Sequence, residues 1–129
     1  MGLRHEDIAE VYRSKISLQD YSARPTISGV QFLPLKRFMD EGGTFLELGR
    51  LTEGGLETLP GFQVRQLSYS TMQSRAIKAF HLHYAQSELW FVPPECRLLV
   101  GLLDVRKDSA TLGTSMRFVM GDGLARYLV

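Results

Sequence analysis

Short runs of β-forming residues, each bounded by glycine or proline, fill this chain from about Gly29 onward and restrict it to an all-β architecture. The predicted strands are residues 29–33, 44–51, 63–70, 77–84, 89–92, 98–104, 114–120 and 126–129. Turn chemistry separates them: Asp40-Glu41-Gly42-Gly43, Glu53-Gly54-Gly55, Pro60-Gly61, Pro93-Pro94 and Gly121-Asp122-Gly123. Glycine supplies the positive φ, and proline the preset φ, that tight reversals need. Many short strands at near-regular spacing predict a sandwich, jelly roll or barrel. Gly54-Gly55 and Gly121-x-Gly123 read as hairpin glycines and not as phosphate loops, because no helical pattern follows either.

The start of the chain reads differently. Ile8, Val11, Tyr12 and Ile16 recur at helical spacing between charged residues, which predicts one short amphipathic helix. Residues 22–28, with Pro25 inside and Gly29 just after, read as a linker. The expected organisation is therefore a helical extension and linker over 1–29, then one β domain over 30–129. A chain of 129 residues is long enough to bury one core. Its 44% apolar and 22% charged content is that of a globular protein and argues against disorder. Fifteen basic against 14 acidic residues leave a net charge of +1, so no basic field points to nucleic acid. No apolar run approaches the roughly 20 residues of a membrane helix. Glu6, Asp7 and Glu10 do not fit a signal peptide. Cys96 stands alone, excluding an internal disulfide and a cysteine metal cluster. A cytoplasmic protein without nucleic-acid or membrane partners is expected. The run 124–129 reads as a strand with no turn after it, so its sheet is expected to be completed by further chain or by a partner subunit.

The densest group of chemically able side chains is Lys78-Ala79-Phe80-His81-Leu82-His83, followed by Glu88 and Trp90. On a strand, alternation puts Lys78, Phe80, Leu82 and Tyr84 on one face and Ala79, His81 and His83 on the other. Three readings follow. In the first, His81 and His83 ligate a divalent ion with Glu88 as a third ligand, an open site of two imidazoles and a carboxylate. In the second, one histidine is a general base, since an unperturbed imidazole titrates near neutral pH. In the third, both are partly buried strand residues with satisfied nitrogens. Phe80, Trp90, Phe91 and Phe118 read as core. Asp104 and Arg106 read as a carboxylate and guanidinium fixing a loop.

Ile77-Lys78-Ala79-Phe80-His81 resembles the strand motif R-G-L-H of dTDP-4-dehydrorhamnose 3,5-epimerases, whose histidine removes a proton alpha to the sugar ketone. Residues 103–113, from Leu103-Asp104-Val105-Arg106 to Thr111-Leu112-Gly113, resemble that family's D-L-R-x-x-S-P-T-F-G turn. Upstream, Asp40-Glu41-Gly42-Gly43-Thr44-Phe45-Leu46-Glu47 resembles D-E-R-G-x-F-x-E. Three motifs in the family's order cover roughly residues 30–129. The resemblance implies a cupin-type jelly roll (a double-stranded β-helix) that forms a homodimer and uses no cofactor. It implies His81 as the catalytic base and Lys78 at the phosphates of a dTDP-sugar nucleotide. Gln66, Phe45, Glu47 and His83 would line the substrate.

Gly42 replaces the arginine of D-E-R-G, and the family's acid tyrosine and the aspartate that pairs with its histidine belong to a back half beyond Tyr127-Leu128-Val129. Reduced or absent epimerase activity is therefore expected of this chain, with a non-catalytic sugar-nucleotide-binding or interaction cupin as the alternative. The spacing His-x-His-x4-Glu is also the core of the metal-binding cupin motif. Arg75 and Glu95 stand where that motif has glycines, so no bound metal is expected.

Overall fold

The computed structural model describes residues 2–17 and 20–129. Alternation sets its longest strands. β7 (Arg97–Leu103) and β8 (Ser115–Gly121) pair antiparallel, from Arg97 opposite Gly121 to Leu103 opposite Ser115. The cross-strand pairs Leu98–Met120, Val100–Phe118 and Leu102–Met116 share the inner face, while Leu99, Leu103 and Arg117 look outward. Val100 and fully buried Met120 join Val92 and Leu128 in the core. Val30, Phe32, Trp90, Leu98, Leu102 and Phe118 pack around them, with the Phe32 and Phe118 rings edge to face at 4.9 Å.

The sheet beside this hairpin is ordered by its last strand. β9 (Arg126–Leu128) lies between β1 (Phe32–Pro34) and β6 (Trp90–Phe91), antiparallel to both. Gln31 and Val129 extend the β1 side by exchanging backbone bonds of 3.0 and 2.9 Å. Two further hairpins complete the strands: β2 (Arg37–Asp40) with β3 (Gly43–Leu46), and β4 (Leu51–Thr52) with β5 (Gly55–Leu56). Glycine is required at the end of β8. Gly121 has a φ of +73°, and a Cβ there would collide with the carbonyls of Cys96 and Pro93.

The chain is all-β with a short helix near its start, but four expected elements differ. The strand predicted at 44–51 breaks into β3 and β4, with residues 47–50 in no strand. The helix predicted around Ile8–Ile16 reduces to a 3-10 turn (His5–Asp7) and one turn of α-helix, α1 (Glu10–Arg13). No side chain caps α1, and Val11 and Tyr12 are exposed. A helix this short does not outweigh its nucleation cost without a surface to pack on. The strands predicted at 63–70 and 77–84 are not formed. Beyond an isolated bridge from Gln63 to Gly55, residues 64–89 carry no strand among the described residues. Their alternating apolar groups, Leu67, Tyr69, Ile77, Phe80 and Tyr84, are all exposed. Phe80 thus leaves the expected core, and His81 and His83 occupy an open extended coil, not one face of a strand. Period-two patterning marks a segment able to be a strand, but a ladder also needs a neighbour offering free N–H and C=O groups.

A buried carboxylate locks the loop between β7 and β8. Asp104 is 4% exposed and accepts from the Arg106 guanidinium and backbone N–H and from the Ser109 and Thr111 hydroxyls. Arg106 also donates to the Ser28 carbonyl at 2.7 Å, and Thr111 Oγ1 accepts from the Ser28 N–H at 2.9 Å. The loop thereby holds the segment that leads into β1, where Ile27 is buried.

Met120→Ala is expected to lose about 2–5 kcal/mol, because a fully buried side chain leaves a cavity that the sheet cannot collapse. Urea denaturation measures this, and an unchanged midpoint would mean that the core does not centre on Met120. The Arg106 guanidinium, followed by the Ser109 and Thr111 hydroxyls, holds the Asp104 carboxyl well below the usual carboxylate range. Its stabilisation is therefore complete above the unfolded value of about 3.9 and is lost as pH falls towards the folded one. Asp104→Asn should lower the urea midpoint at neutral pH and flatten its decline as pH falls below about 4.

Candidate functional site

The coil bearing the candidate side chains is anchored at both ends. Val64 N–H donates to the Gly54 carbonyl at 2.8 Å, and β6 pairs with β9. Just before β6, three side chains meet. His83 Nε2 lies 2.8 Å from Glu88 Oε1, and the Trp90 indole Nε1–H donates to Glu88 Oε2 at 2.8 Å. Glu88 thus bridges an accessible imidazole to an indole seated against the core. Sequence reasoning placed Glu88 in a metal set and Trp90 in the core. The available signal was the two-residue spacing of Glu88 and Trp90, which puts both on one side of an extended chain.

The other predicted site residues are held elsewhere. Lys78 Nζ donates to Ser70 Oγ and to the Thr71 carbonyl, both at 2.9 Å, so its ammonium is tied within its own coil. Gln66 donates to Ser68 Oγ at 3.0 Å. Phe45 stands exposed on β3, its ring 6.4 Å from that of Phe38. Glu47 pairs with Arg50, whose guanidinium spans both carboxylate oxygens and is itself held in the charged form by that bond. His81 is exposed and has no hydrogen-bonding or ion-pairing side chain facing it among the described residues. Only His83 and Glu88 of the predicted set are joined directly.

Metal ligation needs at least one more group. Among the described residues, no three His, Cys, Asp or Glu side chains converge on a point that could hold an ion. An imidazole and a carboxylate already bonded to each other make a weak donor set, since metal binding must first break that bond.

A second feature lies on the other side of β6. A cleft of about 250 Å³ separates the β2–β3 hairpin from the Pro93–Pro94 turn, with Leu46, Leu48 and Phe91 in its lining. Arg37 and Glu95 pair at 3.5 Å beside it. Tyr127 braces the site by donating to the Leu48 carbonyl at 2.6 Å, and burial pushes its phenol up from the usual value. No helix among the described residues is long and apolar enough to cross a membrane.

The chain is similar to the spore coat polysaccharide biosynthesis protein SpsL of Bacillus subtilis (strain 168), with 38% identity over 96 residues. That alignment takes in 74% of this chain and 60% of the relative, so the chain spans about three-fifths of the relative's length. No protein-family model matches the chain, and no solved structure matches it.

With two convergent ligands instead of three, the protein is expected to retain no manganese, iron or zinc through dialysis against a weak chelator. Elemental analysis measures this. Close to one equivalent of metal, lost in His83→Ala, would show that His81 closes on the pair.

Proposed function

We propose that this chain is a sugar-nucleotide epimerase-like protein that binds, or acts on, a dTDP-4-keto-6-deoxysugar. The observation that carries the reading is the 38% identity, over 96 residues, to a protein of polysaccharide biosynthesis. The three epimerase-like motifs at residues 40–47, 77–81 and 103–113 support it in the same order along the chain. Epimerisation next to a ketone needs a base on one face of the carbon, an acid on the other and a group to stabilise the enolate. An imidazole of the His81–His83 pair takes the proton, His81 being the position that the motif designates. Lys78 meets the phosphates, while Gln66, Phe45 and Glu47 line the substrate. The protein works as a homodimer in which the segment around Phe45 and Glu47 reaches the neighbouring subunit. A jelly roll that binds the sugar nucleotide without turning it over is the second reading. The open coil at 64–89 favours it, because oxyanion stabilisation depends on donors held rigid in a water-poor site.

Binding of dTDP is expected to be weak and salt-dependent. Lys78 offers a point charge without the bidentate fork of arginine, and Gly42 removes a second cation. Calorimetry at low and high salt tests this, and no heat at millimolar dTDP would count against the epimerase line. Full epimerisation by this chain should be slow, since Leu89 stands where the resemblance calls for the lysine that stabilises the enolate, and one lost oxyanion donor costs about 10²–10³-fold. Conversion of dTDP-4-keto-6-deoxyglucose at ordinary enzymic rates would show that the assembled protein supplies the missing groups.

A further inference from the structure

The motif designates His81, whereas the geometry favours its neighbour. We infer that His83 is the imidazole built for proton transfer, with Glu88 and Trp90 as its positioning residues; the assignment rests on the sugar-nucleotide reading above. A carboxylate only accepts hydrogen bonds, so the 2.8 Å contact to Glu88 requires the proton on Nε2 of His83. The neutral ring then carries its lone pair on Nδ1, the atom left free to take a proton.

The support behind this pair runs into the core. The Trp90 indole fixes the second oxygen of Glu88. Trp90 is itself set by β6, where it lies opposite Leu128 of β9. The carboxylate is thus clamped between a rigid strand and the imidazole, which is how a catalytic side chain is held to a productive geometry. Stability does not explain the arrangement. His83 and Glu88 side chains are 39% and 38% exposed, and ion pairs so open to water contribute little. The same exposure leaves the imidazole within reach of a ligand. His81, two residues earlier, has no carboxylate facing it among the described residues.

In the step itself, Nδ1 of His83 accepts the proton from the carbon next to the ketone. The C–H bond breaks, and its electron pair passes to the carbonyl oxygen as an enolate. The ring becomes an imidazolium whose charge faces the Glu88 carboxylate, the support that a carboxylate gives a catalytic histidine. Return of a proton from the imidazolium to the same carbon restores the substrate and the neutral ring. In D2O the imidazolium exchanges with solvent first, so the carbon acquires deuterium without inversion.

The test is deuterium incorporation at C3 or C5 of dTDP-4-keto-6-deoxyglucose, followed by proton NMR. His83→Asn should lower the rate by about 10²-fold or more, the usual worth of a general base. Glu88→Ala should lower it at unchanged KM. Glu88→Gln should retain part of it, because the amide oxygen can still accept from Nε2–H, although its NH2 cannot accept from the Trp90 indole. Nitrogen-15 NMR gives a readout independent of turnover. The Nε2–H of His83 should be a hydrogen-bonded, low-field resonance in the native protein, kept in Glu88→Gln and lost in Glu88→Ala. The chain has one tryptophan, so its emission should shift in Glu88→Ala as well. Exchange that survives His83→Asn and vanishes in His81→Asn would overturn the inference and leave the epimerase reading intact. No exchange by the native protein would overturn the proton-transfer role of His83 and leave the binding reading, which the dTDP calorimetry tests. An unprotected Nε2–H of His83, indifferent to Glu88, would overturn the positioning role of Glu88.

Discussion

A three-residue strand carries most of what holds distant parts of this chain together. β9 is hydrogen-bonded on both edges, to β1 and to β6, which lie far apart in sequence. Its side chains extend the same role. Arg126 lies 4.1 Å over the Phe32 ring and donates to the Val119 carbonyl, linking β1 to β8. Tyr127 meets Phe91 edge to face and reaches the Leu48 carbonyl. Leu128 enters the core beside Met120. Because β6 is positioned by β9, so is Trp90, and through Trp90 the carboxylate that faces His83.

A second anchor acts by charge instead of backbone pairing. Asp104 is taken out of water, and such a carboxylate is tolerable only when every lone pair has a donor. Arg106, Ser109 and Thr111 supply them, and two of these residues then hold Ser28. One polar cluster thereby sets the shape of the β7–β8 loop and the path of the chain into β1. The β9 sheet and the Asp104 cluster together leave the region from Val64 to Leu89 outside the packed core.

That outside region bears the histidines, the lysine and the glutamine of the candidate site. Its apolar side chains are unusually open, with Tyr69 at 90% and Tyr84 at 94% exposure. Apolar area of this extent loses free energy to water at about 25 cal/mol per Å². The segment has few buried contacts to resist rearrangement, which is the usual condition of binding and catalytic loops. At its end, the link from His83 through Glu88 to Trp90 of β6 ties it to the core.

Sequence alone determined the all-β class, several of the turns and, to within a residue, the strands expected at 98–104 and 114–120 and found at Arg97–Leu103 and Ser115–Gly121, because period-two alternation and glycine turns are local properties of the chain. It also marked Asp104 and Arg106 as a loop-fixing pair, since their spacing in a turn leaves them within reach of each other. The candidate site was legible as a list of residue types, with His81, His83 and Glu88 in view, but not as a geometry. Alternation promised strands at 63–70 and 77–84 with both imidazoles on one face. Only the tertiary structure decided that no neighbouring strand receives them, leaving Lys78 bonded to Ser70, Gln66 to Ser68, and Glu47 to Arg50. Only it showed that Glu88 turns to His83 and Trp90. Which strand finds a partner, and which carboxylate finds an imidazole, depends on contacts between residues brought together by the fold, and side-chain pattern along one segment carries no record of them.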